Sequence, residues 1–178
     1  MRISGKILPV SAVLASVVFA VMHWITLPEL RSVAGGLAIF DLMPGGYDID
    51  YARMLLGALE EQGRAYYLYR QIPLDMLFPL LYAPALALLI RWLLALLGDE
   101  QSPWRFASWV AVAAAAADYL ENLCTTLLLV QYPDLSGWVV EAGSAATIGK
   151  NLLLTLYLVA FMALLFMVGR RSFQVVKD

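Results

Sequence analysis

Apolar residues gather in four long runs, roughly 7–27, 74–97, 106–131 and 142–168, separated by segments in which charge, glycine and proline return. Each run reaches the ~20 residues that an α-helix needs to cross a hydrocarbon core about 30 Å thick. The pattern predicts an all-α integral membrane protein in one domain, 1–178. Its expected form is a four-transmembrane-helix bundle with a helical extracytoplasmic cap, 28–73, between helices 1 and 2. The first run follows Arg2 and Lys6, as the core of a cleaved signal peptide would. It is longer than the about 7–15 apolar residues of such a core and ends in no clear small-x-small site, so a retained helix is expected.

The 28–73 connection is too long and too patterned for a plain loop. Leu42-Met43-Pro44-Gly45-Gly46 reads as a turn, because proline presets one backbone angle and glycine accepts conformations closed to other residues. Beyond it, Asp48 or Asp50 is placed to cap a helix through Ala52, Leu55, Leu56 and Leu59, which recur at helical spacing. The aromatic and basic stretch from Arg64 to Gln71 suits the membrane surface, where a tyrosine ring is buried and its hydroxyl hydrated. A second reading makes it a lid over a site between the helices, contributing Tyr47, Arg64 or Tyr67.

Polar residues interrupt the apolar runs with the same helical period. Asp118, Glu121, Asn122 and Thr125 stand at i, i+3, i+4 and i+7, which puts them on one face of helix 3. Thr147, Lys150, Asn151 and Thr155 form a second stripe on helix 4, and helix 1 offers His23. Counted along the helix rise from the predicted cytoplasmic ends, Asp118 lies about 18 Å up, Glu121 about 22 Å, and Lys150, His23 and Tyr82 about 22–27 Å. Asp75, in the first turn of helix 2, falls slightly above. A charge at that depth is costly unless paired or hydrated, which makes such residues the first place to look for function. The expected site therefore has Asp118, Glu121 and Lys150 as its catalytic groups. His23, Asp75, Tyr82, Asn122, Asn151, Arg64 and Tyr67 would contact substrate.

Charge counting adds a condition. Two carboxylates facing one ammonium imply that the cluster keeps a proton, on a carboxyl or on His23. Such a set serves general acid–base chemistry or a proton relay. It also serves to fix helix register with no chemistry at all. For Asp75 the start of a helix is explanation enough, because the helix dipole favours a carboxylate there. His23, next to Trp24, equally suits a plain interfacial position.

Composition narrows the classes. With 62% apolar and 15% charged residues the chain is far from a soluble composition, and a net charge of −2 with scattered Lys and Arg excludes nucleic acid as a partner. Arg2 and Lys6, Arg91 and Arg105, and Arg170, Arg171 and Lys177 flank the ends that should share the cytoplasmic side. The 132–141 loop carries Asp134 and Glu141 and no base, so both termini are expected to be cytoplasmic. Cys124 is the one cysteine, off the polar stripe; with a single histidine and no His-Glu-x-x-His, neither metal nor cofactor is expected. No Gly-x-Ser-x-Gly elbow or phosphate-cradling loop is present. Small residues from Ala111 to Ala117 allow close approach of helix 4 or of a second protomer in a homo-oligomer.

These features point to an intramembrane lipid-handling protein or enzyme. Its outer-leaflet polar pocket would bind, or perform acid–base chemistry on, a membrane lipid or apolar small molecule. The alternatives are a proton- or ion-conducting channel or transporter subunit, and a structural scaffold with a buried ion-pair cluster. Polarity stops below Asp118, where helix 3 turns to Ala, Val and Trp and helix 4 to Leu, Phe and Met. A pocket tolerates that; a conduit does not.

Overall fold

A computed structural model describes residues 4–175, with side chains from 7 to 171. All regular structure among these residues is helical. It runs α1 Ser4–Val21, a π-helical turn Met22–Thr26, α2 Leu27–Val33, α3 Ile49–Ala58, α4 Glu60–Tyr66, a π-helical turn Tyr67–Gln71, α5 Ile72–Leu96, α6 Phe106–Gln131 and α7 Gly137–Val175, with 3-10 turns at Phe40–Leu42 and Pro103–Arg105. Three continuous helices, Ile7–Val33, Glu60–Leu96 and Gly137–Arg171, are long and apolar enough to cross a membrane. α6, at 26 residues, is close in length to the first of these but carries Asp118, Glu121 and Asn122 inside it.

Two of these helices reach well beyond the bounds read from the sequence, for one reason. Pro28 and Pro73 read as helix boundaries because a proline lacks the N–H that an α-helix needs and crowds the preceding turn. In the structure each proline follows a single widened turn, in which Leu27 N–H bonds to Met22 O and Ile72 N–H bonds to Tyr67 O. The wider turn accommodates the ring and the helix continues. Residues 28–33 therefore extend helix 1, and 60–71 extend helix 2. The aromatic stretch 64–71 is thus a helix extension rather than a separate cap, and the true connection shrinks to about half its expected span.

Within that connection the expected helix is present. Asp48 caps α3 by accepting from Tyr51 N–H at 2.8 Å, and Ala52, Leu55, Leu56 and Leu59 are fully buried. The predicted turn closes with Gly46 N–H donating to Met43 O at 2.8 Å. The next residue, Tyr47, donates its N–H to Ser144 Oγ at 2.8 Å and so ties the connection to α7.

α5, α6 and α7 pack on one another, while α1 lies mainly along α5. Short links join α5 to α6 and α6 to α7, and the cross-helix pairs confirm that neighbours run antiparallel: Tyr82 faces Asp118, and Asp118 faces Lys150. The arrangement is less symmetrical than the expected four-helix bundle. The small residues of α6 are used within the chain, with Ala107, Ala111 and Ala114 fully buried. Two large apolar cores result, besides a small cluster of Ala15, Tyr82, Ala83 and Ala115 between α1, α5 and α6. One, at the end that carries α3 (the cap end), holds Leu30, Ile39, Phe40, Leu55, Leu56, Tyr67, Leu128 and Val139. The other, toward the 97–105 link (the link end), holds Ile90, Leu93, Leu94, Ala107, Ala111, Tyr157, Ala160 and Leu164. The polar residues of α6 fall between the two.

Of the basic residues expected to set orientation, Arg2, Lys177 and the Lys6 side chain lie outside the described residues. Arg171 bonds to Leu97 O at the link end, and Arg105 holds Gln101 there at 3.0 Å.

The turn that docks the connection offers a direct check. Gly46 has φ +81°, and a Cβ there would press on Ser144 Oγ and stand 2.8 Å from Ile148 Cδ1. Gly46→Ala should cost about 1–3 kcal/mol, seen as a lowered melting temperature in detergent. Gly45→Ala, which meets nothing within 4 Å, should leave it unchanged.

Candidate functional site

The site is built on facing positions of α6 and α7. Spacing of three places Asp118 and Glu121 on one side of α6, and the antiparallel α7 brings Lys150 opposite both. Lys150 Nζ lies 3.4 Å from Asp118 Oδ1 and in closer contact with Glu121 Oε2. The three side chains are 11%, 9% and 0% exposed, so the ions pair where little water screens them. The remaining carboxylate oxygens are also held: Tyr82 of α5 donates to Asp118 Oδ2 at 3.1 Å, and Thr147 of α7 donates to Glu121 Oε1 at 2.8 Å.

A second set of polar contacts continues toward the cap end. Asn122 Nδ2 donates to Asp75 O at 3.1 Å, and Gln71 Nε2 donates to Asp75 Oδ1 at 3.0 Å. Gln71 Oε1 in turn accepts from the Thr26 hydroxyl. Thr26 and Gln71 each belong to one of the two π-helical turns, so the widened turns that follow the proline problem also join α1 to α5 at the level of the site. Above them the buried Tyr67 donates to Asp41 Oδ2 at 2.8 Å. Asp41 lies close enough for its charge to act on Asp75, Asp118, Glu121 and Lys150. Asp41 and Asp75 thus add two carboxyls beside the layer, while Lys150 pairs with Asp118 and Glu121.

Tyr47 closes the cap side of the layer. Its ring stacks on Phe40 with centroids 4.4 Å apart, and its hydroxyl sits where a Cβ on Gly143 would collide, beside Cys124. Burial, and then the negative charges of Glu121 and Asp41, hold this phenol above its ordinary range, so it stays a hydrogen-bond donor at physiological pH.

Of the residues predicted from sequence, Asp118, Glu121, Lys150, Tyr82, Asn122 and Asp75 come together. Asn151 stands at the margin, donating to Thr147 O at 2.8 Å. Tyr67 reaches the layer through Asp41. His23 and Arg64 do not join it. His23 is exposed in the π-helical turn after α1 and stacks on Phe19 with ring centroids 5.5 Å apart, away from the ion pair. Arg64 donates to Leu56 O at 2.8 Å and lies 4.4 Å over the Tyr132 ring, bracing α3 against the α6–α7 link. Thr155 is exposed and bonds back to Asn151 O. Cys124, 3% exposed, belongs to the core.

Sequence reasoning missed Asp41, Gln71 and Thr26. Asp41 lies in an irregular segment where no period marks a face; its one signal is an acid set among Ile39, Phe40 and Leu42. Gln71 precedes Asp75 by one helical turn, a relation hidden by Pro73. Among the described residues no three His, Cys, Asp or Glu side chains are grouped to hold a metal ion.

Comparison with protein-family models, with curated proteins and with solved structures returned no match.

Among the described residues, four buried oxygens in this region have no hydrogen-bond partner: Asp75 Oδ2, Asn122 Oδ1, Thr125 Oγ1 and the Tyr47 hydroxyl. Asp75 Oδ2 and Asn122 Oδ1 are acceptors, and the Thr125 and Tyr47 hydroxyls can each donate and accept.

The weights of the contacts can be separated by mutation. Lys150→Met leaves two buried carboxylates facing each other and should destabilise the detergent-solubilised protein by about 3–5 kcal/mol. Tyr82→Phe removes one hydrogen bond to Asp118 and should cost about 1–2 kcal/mol in the same melting assay.

Proposed function

We propose that the chain is a multi-pass membrane protein, one domain over 1–178, that takes a membrane lipid or another apolar molecule by its polar end into the layer around Glu121. There it binds the molecule or moves a proton on it. In this reading the crossing helices are Ile7–Val33, Glu60–Leu96, α6 and Gly137–Arg171. The 34–59 segment lies outside and both termini lie in the cytoplasm. α6 takes its place as the fourth span because its ionisable face is turned to α5 and α7, leaving Val112, Leu120, Leu123 and Val130 on its exposed side.

The observation that carries the reading is the set of unpartnered buried oxygens beside a complete ion pair. Buried polar atoms in native proteins are nearly always satisfied. An ion pair that only fixed helix register would need no such neighbours. Here they collect within a turn or two of Glu121, on α5, α6 and the 34–48 connection, where a polar head entering the layer would meet them. Asp118 and Glu121 are the candidate acid and base, each oriented by a hydroxyl, and Lys150 would stabilise negative charge developing on the bound molecule. The link-end core of Ile90, Leu93, Leu94, Ala111, Tyr157 and Leu164 sits directly below. That dry layer favours a pocket over a conducting path.

The test is extraction of the protein in mild detergent, followed by mass spectrometry of what it retains. Wild type should keep an apolar molecule in near-stoichiometric amount, and Glu121→Gln should lose it while melting within a few degrees of wild type. Retention by Glu121→Gln equal to wild type would sink the reading. Strong destabilisation of that variant without any retained molecule in wild type would assign the cluster to architecture instead.

A further inference from the structure

A second feature lies outside the polar layer. An open groove of about 510 Å³ runs along α2 and the π-helical turn before it, lined by His23, Leu27, Pro28, Arg31, Ser32, Gly36 and Leu42. Its helical wall follows from spacing: His23, Leu27 and Arg31 recur at i, i+4 and i+8, on one face. Its other wall is the returning chain, which Gly36 turns at φ +91°, a conformation that favours glycine.

We propose that this groove binds the phosphate of an anionic phospholipid, as a site distinct from the Glu121 layer. Charge is the first argument. Arg31 and His23 line the groove and no carboxylate does, and among the described residues Arg31 takes part in no ion pair or side-chain hydrogen bond. An exposed guanidinium, an imidazole and the Ser32 hydroxyl on one wall are a donor set suited to phosphate oxygens.

Depth is the second argument. Counted from Ile7, where the first apolar span begins, about 30 Å of hydrocarbon ends near Leu27 and Pro28. His23 then lies just below the boundary and Arg31 just above it, so the groove straddles the headgroup level. Trp24, 75% exposed on the neighbouring face, sits where an indole anchors in the interface. Leu27, Pro28 and Leu42 supply an apolar floor for the glycerol end of the acyl chains, and Phe19 continues that surface below His23. A soluble anion would gain nothing from that floor; a lipid gains from both parts.

The inference depends on the chain being membrane-embedded but not on the chemistry at Glu121, and the experiment keeps the two apart. Full-length protein in a neutral detergent is titrated with phosphatidylglycerol, phosphatidylcholine or inorganic phosphate while its melting temperature is followed. Phosphatidylglycerol should raise the melting temperature of wild type, and Arg31→Gln should weaken its apparent affinity about tenfold. Glu121→Gln should respond as wild type does, because the groove lies outside that layer. Arg70→Gln, which removes another exposed base near the interface, should also respond as wild type does. An Arg31→Gln response equal to wild type, an equal loss in Arg70→Gln, or an equal shift from inorganic phosphate or phosphatidylcholine would each overturn the proposal. Arg31 is exposed and partner-free, so its substitution leaves the fold intact for the measurement.

Discussion

The ammonium of Lys150, held between Asp118 and Glu121, sets the terms for everything around it. Two buried carboxylates on one helix face repel, and removing the cation would leave both uncompensated at this spacing. The pairing fixes the register of the two helices to one residue, because a slip of one position turns Lys150 away from both acids. From that register follow the approach of Gly143 to Cys124, the seat of the Tyr47 hydroxyl, and the reach of Thr147 to Glu121. Packing alone would allow alternatives, since the rest of the α6–α7 seam is alanine, leucine and valine that interdigitate in more than one way.

Much of this was legible in the sequence. The stripe Asp118, Glu121, Asn122, Thr125 declared its face through spacing, and that face is buried as a unit. Lys150 and Thr147 declared theirs on α7. The cap of α3 by Asp48 followed from ordinary capping chemistry. What escaped notice was whatever depended on chain continuity through a proline. Reading Pro28 and Pro73 as boundaries cut both long helices short and left Gln71 outside helix 2, so Thr26, inside the 7–27 run, had no partner to point to. Asp41 escaped for a different reason: an irregular backbone has no period from which a direction can be inferred, so its place beside the layer exists only in three dimensions. His23 failed in the opposite way. It is exposed and stacks on Phe19 rather than facing the layer, because position along a helix says nothing about which neighbour a residue faces.

The π-helical turns connect these misses to the site. Each absorbs the missing N–H of the following proline by widening one turn. Each also sends one polar side chain, Thr26 or Gln71, across the α1–α5 contact. The same irregularity that keeps the helices whole therefore makes the only polar bond between α1 and the rest of the long helices among the described residues. α1 otherwise meets α5 through apolar and small side chains such as Ala15, Phe19 and Ala83, contacts with little preference for one register over another.

The apolar core at the link end has a consequence for how the buried acids keep time with their surroundings. Toward that end, beside Ile90, Leu93, Ala111 and Leu164, the hydroxyls of Ser108 and Tyr157 are both spent on backbone carbonyls of α5. The hydrogen-bonded polar groups beside the ion pair, on Asn122, Asp75, Gln71 and Thr26, continue toward the cap end instead. In the proposed membrane placement that asymmetry would make the cluster a one-sided reporter, its ionisation tied to the water beyond α3 rather than to the opposite compartment.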